Sequence, residues 1–97
     1  MPYITQDRRK ELDPLIDALS EELKKTDSVG DYNYSITLLF HKLIIGRGRV
    51  RYKTINDING ILGGVQDELN ENIFIPYEKK KKAENGPVSE LDKDRPW

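Results

Sequence analysis

The stretch that decides the fold runs from residue 31 to residue 53 and reads DYNYSITLLFHKLIIGRGRVRYK. A helix is predicted from Asp31 to about Ile45, because apolar side chains recur there at the spacing of an α-helix, and they cover much of its circumference. We therefore expect this helix at the centre of the fold or in a subunit interface. Gly46 and Gly48 then end the helix. From Arg47 onward the pattern changes to a period of two, which is typical of an extended chain.

This basic segment, residues 47–53, alternates cations with small, apolar or aromatic residues. In an extended chain, successive side chains point to opposite faces, so four cations would share one face. They are Arg47, Arg49, Arg51 and Lys53. One interpretation is a solvated edge whose charges discourage association between edges. The other is an anion site, because guanidinium groups match phosphate oxygens and a helix N-terminus follows directly.

A helix is predicted on the N-terminal side of this stretch. Thr5 is a suitable N-cap for a short helix through Leu12, and Asp13-Pro14 is a second start signal. Either two helices therefore meet near Pro14, or one kinked helix runs through it to about Thr26.

A third helix is predicted on the C-terminal side, with Thr54 as its N-cap and Asp57 at the third helical position. Glycines at positions 60, 63 and 64 favour close approach of another backbone or a ligand. Pro76 should break or kink the helix near Ile75. A further short helix should follow over residues 77–84 and end at 85–87.

These elements predict an all-α fold of three main helices, with a short extended basic segment between the second and third. That segment could pair with the stretch Pro2–Thr5 as a minor two-stranded element. We expect one small helical domain over residues 1–86 and a C-terminal tail over 87–97, ending in Trp97.

Composition excludes several classes of protein. The chain has 97 residues, a net charge of -1 and no cysteine, which rules out disulfides, thiolate metal sites and thiol catalysis. His41 is the only histidine, so a zinc site has too few ligands. Because the motifs of phosphate-binding loops and nucleophile elbows are missing as well, we expect no enzyme, no metal and no cofactor. Without a membrane-spanning run or a signal peptide, we expect a cytoplasmic protein.

Several separated motifs resemble a family of small proteins of unknown function encoded by bacteriophages and bacteria. They are a Met-Pro-Tyr-Ile start, RRKELDPLIDAL over 8–19, the helix carrying Asn33, Tyr34, Ile36, Thr37 and Leu38, then RYK-x-IN-D-x-x-G-x-L from Arg51, PYE-x-K from Pro76 and ENG over 84–86. The resemblance covers about residues 1–86. It implies a small helical fold in a phage or prophage setting, hence in a bacterial host cell, and it implies no chemistry.

Two functional hypotheses follow from these residues. The first is a non-catalytic binding protein that sequesters a small phosphorylated ligand, such as a nucleotide second messenger of host immunity. Its candidate ligand-binding residues are cations, asparagines and tyrosines near the basic segment: Arg47, Arg49, Arg51, Tyr52, Lys53, Asn33, Tyr34, Asn56 and Asn59. The second is a protein–protein interaction module that inhibits a host protein or serves as a phage accessory protein. Nucleic-acid binding ranks third because of the net charge.

We expect a homo-oligomer, most simply a dimer, because two-fold association is the commonest and the helices offer surplus apolar surface. Two other features have alternative interpretations. Lys79 to Lys82 form a run of cations that is either solvated near a helix C-terminus or in contact with nucleic acid. Trp97 is either unanchored or held in a pocket of its own domain or of a neighbouring subunit.

Overall fold

The computed structural model describes residues 2–93. Over this range the chain is all-α and contains no strand. Its three long helices are α1 (Gln6–Lys24), α2 (Val29–Gly46) and α3 (Tyr52–Leu69). The prediction of an all-α fold with three main helices is confirmed. Pro2 to Thr5 lie outside any regular element, so the minor two-stranded element is not formed in the described part of the chain.

Helix α1 is a single helix that passes through Pro14. The Thr5 side chain accepts a hydrogen bond from the Arg8 backbone N–H at 3.3 Å, which confirms Thr5 as the N-cap. The two-helix alternative is wrong, and the continuous helix is correct. Proline removes one backbone hydrogen bond, but the strong helix formers on both sides of it keep the turns helical.

Helix α2 begins two residues earlier than predicted. Ser28 is its N-cap and accepts from the Asp31 backbone N–H at 3.3 Å. The helix ends at Gly46, and Gly48 follows with a φ of 94°, a left-handed conformation that favours glycine. The predicted role of these two glycines in ending α2 is therefore confirmed.

Helix α3 begins at Tyr52, because the Ile55 N–H already bonds to the Arg51 carbonyl at 3.0 Å. Thr54 is therefore not the N-cap. It lies inside the first turn and is 4% exposed. A Cβ added at any of the three glycines of α3 would meet no side chain and no other element of the described chain within 4 Å. The close approach predicted at these glycines is thus not made within residues 2–93.

A π-helical segment, Asn70–Phe74, joins α3 to the next helix, α4 (Ile75–Asn85). Pro76 lies in the first turn of α4, where its missing N–H is tolerated. The wider π turn places the Ile75 N–H against the Asn70 carbonyl directly before this proline. The predicted disturbance near Ile75 is thus a π segment, and the chain stays helical through it.

Helix α4 ends at Asn85 and is capped by Gly86, whose φ is 91°. A 3₁₀ turn, Glu90–Asp92, follows and has Ser89 as its N-cap in a capping box. The Asp92 carboxylate accepts hydrogen bonds from the Val88 and Ser89 backbone N–H groups at 2.9 and 2.7 Å, and these bonds lower the pKa of Asp92. The prediction for Trp97 lies outside the described residues.

The chain divides into two compact units, the first up to Ile61 and the second from Leu62 onward. No apolar side chain of the described residues is buried, and 24 large apolar side chains are exposed. Within the first unit, α1 and α2 do not pack along their lengths. Their apolar stripes are therefore uncovered in a single copy. None of the helices within residues 2–93 combines the length and the apolar character needed to span a membrane.

Candidate functional site

The loop between α2 and α3, residues 47–51, carries three arginines and is shaped by two backbone hydrogen bonds. The Arg47 N–H bonds to the Ile44 carbonyl at 3.1 Å, and the Gly48 N–H bonds to the Ile45 carbonyl at 2.9 Å. Arg47 adopts a helical backbone conformation with φ -84° and ψ -5°. The loop therefore turns at its start, directly after α2.

The turn changes the arrangement predicted for the four cations. Arg47 is helical, Gly48 is left-handed, and Tyr52 and Lys53 belong to α3. The segment is thus not extended over 47–53, and the predicted single face of four cations is not formed. The period-two pattern failed because Gly48 allows a tight turn, and because helix α3 starts two residues before its predicted cap.

Asp57 binds two of the four cations. Its carboxylate accepts from the Arg47 guanidinium at 2.7 Å and from the Lys53 ammonium at 2.9 Å. The side chain of Asp57 is one-third exposed. The hydrogen bond from Arg47 lowers the pKa of Asp57 most, and the bond from Lys53 lowers it further. Arg47 and Lys53 therefore share one carboxylate, and the three groups together keep a net charge of +1.

Arg49 and Arg51 have no carboxylate within 4.0 Å among residues 2–93, and both are exposed. They lie in the loop directly before the first turn of α3, where backbone N–H groups lack helical partners. Guanidinium groups present several N–H donors in a plane and bind phosphate oxygens in pairs. Among the described residues of the loop, Arg49 and Arg51 are therefore the cations available to bind an anion.

Three of the candidate residues share one face of α3. Tyr52, Asn56 and Asn59 are spaced by four and three residues, so their side chains project from the same side of the helix. All three are exposed, and the Tyr52 side chain is 85% exposed. The Tyr52 ring can therefore stack on a base, and the amides of Asn56 and Asn59 can form hydrogen bonds with the edge of that base.

The remaining two candidates lie at the other end of α2. Asn33 and Tyr34 are in its first two turns, and the helical rise places Asn33 about 20 Å from Gly46 along the axis. Asn33 accepts a hydrogen bond from the Thr37 hydroxyl at 3.2 Å. A single chain therefore does not bring these two residues to the loop.

Sequence reasoning missed the role of Asp57 as the centre of an ion-pair cluster. The Lys53–Asp57 contact has a readable signal, because residues four apart on a helix are neighbours. The Arg47–Asp57 pair joins residues ten apart across the loop, and no local pattern reveals it.

Other candidate groups add no second site. Within residues 2–93, no three metal-ligating side chains are clustered. In the lysine run, Lys81 pairs with Glu84 at 3.3 Å and lies 5.7 Å from the centre of the Tyr77 ring. These are contacts of a solvated helix surface, which fits the first of the two interpretations offered for the run.

Comparison with known proteins adds one result. A family model described as a domain of unknown function, DUF6899, matches residues 1–88. The chain belongs to this family. The comparisons with curated proteins and with solved structures gave no match. Membership of a family of unknown function is thus confirmed over nearly the same residues as predicted. The description of the DUF6899 family assigns it no chemistry.

Proposed function

We propose that this DUF6899 protein is a non-catalytic binding protein that sequesters a small phosphorylated ligand in the cytoplasm of a bacterial host. In a phage setting, a nucleotide second messenger of host immunity is a ligand of the right chemistry. The observation that carries the proposal is the pair of guanidiniums, Arg49 and Arg51, that have no carboxylate partner among residues 2–93 and lie next to the Tyr52–Asn56–Asn59 face of α3.

The division of cations in the loop supports this assignment. Asp57 holds Arg47 and Lys53, so these two fix the start of the loop to the first turns of α3. Arg49 and Arg51 are then left to meet an anion. Tyr52 supplies a flat surface for a base, while Asn56 and Asn59 supply amide groups. The order of groups along the site is thus phosphate, base, then base edge.

A single copy offers this ligand an open surface. Binding sites for small molecules bury most of their ligand, so walls from another copy are needed to enclose it. We therefore include in the proposal that the protein acts as a homo-oligomer, most simply a two-fold dimer.

The first test is native mass spectrometry of the protein purified gently from cells, with identification of any released small molecule. A defined oligomer with extra mass that resolves to a nucleotide supports the proposal. Nucleotides and cyclic nucleotides are then added to the apo protein, where binding should raise the melting temperature. No shift with any of them at large excess contradicts the proposal.

A pair of matched variants locates the site. The double variant Arg49→Ala with Arg51→Ala should lose ligand binding, by at least about tenfold, because two charge-assisted contacts are removed. The double variant Lys24→Ala with Lys25→Ala removes the same charge from α1, where each lysine pairs with a glutamate of its own helix. Equal loss in both pairs would indicate nonspecific attraction.

The second candidate function is a protein–protein interaction module, an inhibitor of a host protein or a phage accessory protein. It is favoured by the exposed apolar side chains of α2, among which Ile36, Leu39 and Leu43 are each about half exposed. Such a surface is typical of a protein interface. A specific host protein captured by the wild-type chain, and lost on Leu39→Glu, would favour this function.

A further inference from the structure

The exposed apolar face of α2 is continuous and central in the helix. Ile36, Leu39 and Leu43 are 54%, 49% and 50% exposed and lie within an arc of about 60° around the axis. Phe40, which is half-buried, lies on the same side. The opposite side carries Leu38 and Ile45 but is interrupted by the polar His41. The first face, which we call the α2 stripe (Ile36, Leu39, Phe40 and Leu43), is therefore the better apolar contact surface.

The charges at the two ends of α2 have opposite signs. Asp27 and Asp31 lie at its N-terminal end, where the Thr26 hydroxyl donates to Asp31 at 2.5 Å. Arg49 and Arg51 follow its C-terminal end and have no carboxylate partner within residues 2–93. A second α2 running antiparallel matches both ends at once, whereas a parallel copy places like charges together. Antiparallel helix dipoles add to the same preference.

The α2 stripe supplies the apolar centre of such a contact. Ile36, Leu39 and Leu43 are each about half exposed, which at the area implied for a fully buried side chain of this kind amounts to about 100–200 Å² per copy. A standard interface buries about 800 Å² per partner, so the polar and charged surface around the stripe makes up the rest of the contact.

We propose that two copies of the chain pair through antiparallel α2 stripes, with Ile36 of one copy facing Leu43 of the other. This inference rests on the homo-oligomer of the proposed function and names its face, direction and register. In this register Asn33 of one copy lies level with Gly46 of the other, and Arg49 and Arg51 lie near the partner's first turn of α2. Asn33, about 20 Å from the loop in its own chain, reaches the loop of the partner.

Charge reversal tests the direction. Asp31→Arg alone and Arg49→Asp alone should each weaken the dimer by about tenfold, because each creates two repulsive contacts per homodimer. An equimolar mixture of the two variants should form a heterodimer of wild-type affinity, since both ends are then attractive. Sedimentation equilibrium without ligand measures the three affinities. A mixture no tighter than the single variants overturns the antiparallel arrangement.

Cross-linking through introduced cysteines tests the register without changing the stripe. Because the chain has no cysteine of its own, only the introduced residues can react. Gly46→Cys adds a side chain where no described atom lies within 4 Å, and Asn33 is exposed. The two positions lie level but on opposite flanks of the stripe, so a bismaleimide that spans on the order of 10 Å is used; each single variant should stay un-cross-linked, while their mixture should give a covalent dimer. A covalent dimer of Asn33→Cys alone indicates parallel helices and overturns the proposal.

Matched substitutions test the face. Leu43→Glu should reduce the dimer at least tenfold, while Ile45→Glu, on the opposite side of the same turn, should leave it intact; circular dichroism checks the helix content of both. The reverse pattern overturns the α2 stripe as the contact face.

A wild-type chain that is monomeric at every concentration overturns self-association altogether, whereas a dimer with the wrong cross-link overturns only the register. Nucleotide binding to the wild type is measured separately and decides the ligand proposal in either case.

Discussion

Helices α1 and α2 are of nearly equal length but are stabilised in different ways. Helix α1 carries ion pairs between residues three apart: Arg8–Glu11, Lys10–Asp7, Lys24–Glu21 and, at its end, Lys25–Glu22. In the described chain α2 has no ion pair, and its side chains are mostly apolar. The contrast indicates that α1 gains part of its stability from ion pairs within the helix, whereas α2 depends more on what covers its apolar side chains.

The largest expected effect comes from making the α2 stripe polar. Ile36→Ser with Leu43→Ser should destabilise the proposed dimer by about 3–6 kcal/mol, because each side chain that the dimer would fully bury contributes about 1.5–3 kcal/mol. Urea unfolding measures the change. The midpoint of the wild type should also rise with protein concentration, as in any protein whose folding is linked to association.

The matching change in α1 serves as the control. Leu15 and Ile16 are 69% and 59% exposed. The double change Leu15→Ser with Ile16→Ser should cost less than about 1 kcal/mol if these side chains stay in solvent. An equal or larger loss in α1 would show that its stripe is covered as well, and would remove the contrast between the two helices.

The next effect is the loss of a helix cap. Ser28→Ala removes the acceptor for the Asp31 N–H and should cost about 1 kcal/mol. Thr5→Ala, which removes the equivalent bond to the Arg8 N–H, should cost a similar amount of helix. Thermal unfolding followed by circular dichroism compares the two. Only Ser28→Ala should also weaken self-association, and Ser28→Asp, which restores an acceptor, should reverse both losses.

The Asp57 cluster predicts a smaller, pH-dependent effect. Its pKa is lowered in the folded chain, so its contribution is complete above the unfolded pKa of about 3.9 and is lost as pH falls through the lower folded value. An NMR titration of the Asp57 carboxyl carbon checks this. Arg47→Gln should raise the pKa toward its ordinary value. A midpoint unchanged by Arg47→Gln would contradict the Arg47–Asp57 bond.

The same residues show what a sequence can and cannot predict here. The Thr5 cap, the end of α2 at Gly46 and the disturbance before Pro76 are local effects of one or two residues, so local patterns predict them. The Arg47–Asp57 pair is not local, because it joins residues ten apart and depends on how the loop turns. That turn is determined by the left-handed conformation of Gly48, which the alternating charges obscure.

For the site, the sequence identifies the loop but does not show which of its cations are paired with a carboxylate. All four cations are equivalent by spacing. Only the position of Asp57 separates the paired Arg47 and Lys53 from Arg49 and Arg51, which have no carboxylate partner within residues 2–93. Likewise, residue type groups Asn33 and Tyr34 with the loop, although the length of α2 keeps them away within one chain. Distance along a helix limits such groupings more strongly than chemical similarity does.

The smallest effect is expected from the ion pairs of α1. Glu21→Gln removes the partner of Lys24, whose ammonium lies 3.0 Å from the carboxylate, and both side chains are about 70% exposed. Such a pair contributes about 0.5 kcal/mol or less, since water and salt screen it. The variant should therefore unfold within about 0.5 kcal/mol of the wild type at moderate salt. If the loss exceeds about 1 kcal/mol and vanishes at high salt, the four pairs act as a network, and α1 then contributes more to the stability of the protein than its exposed surface indicates.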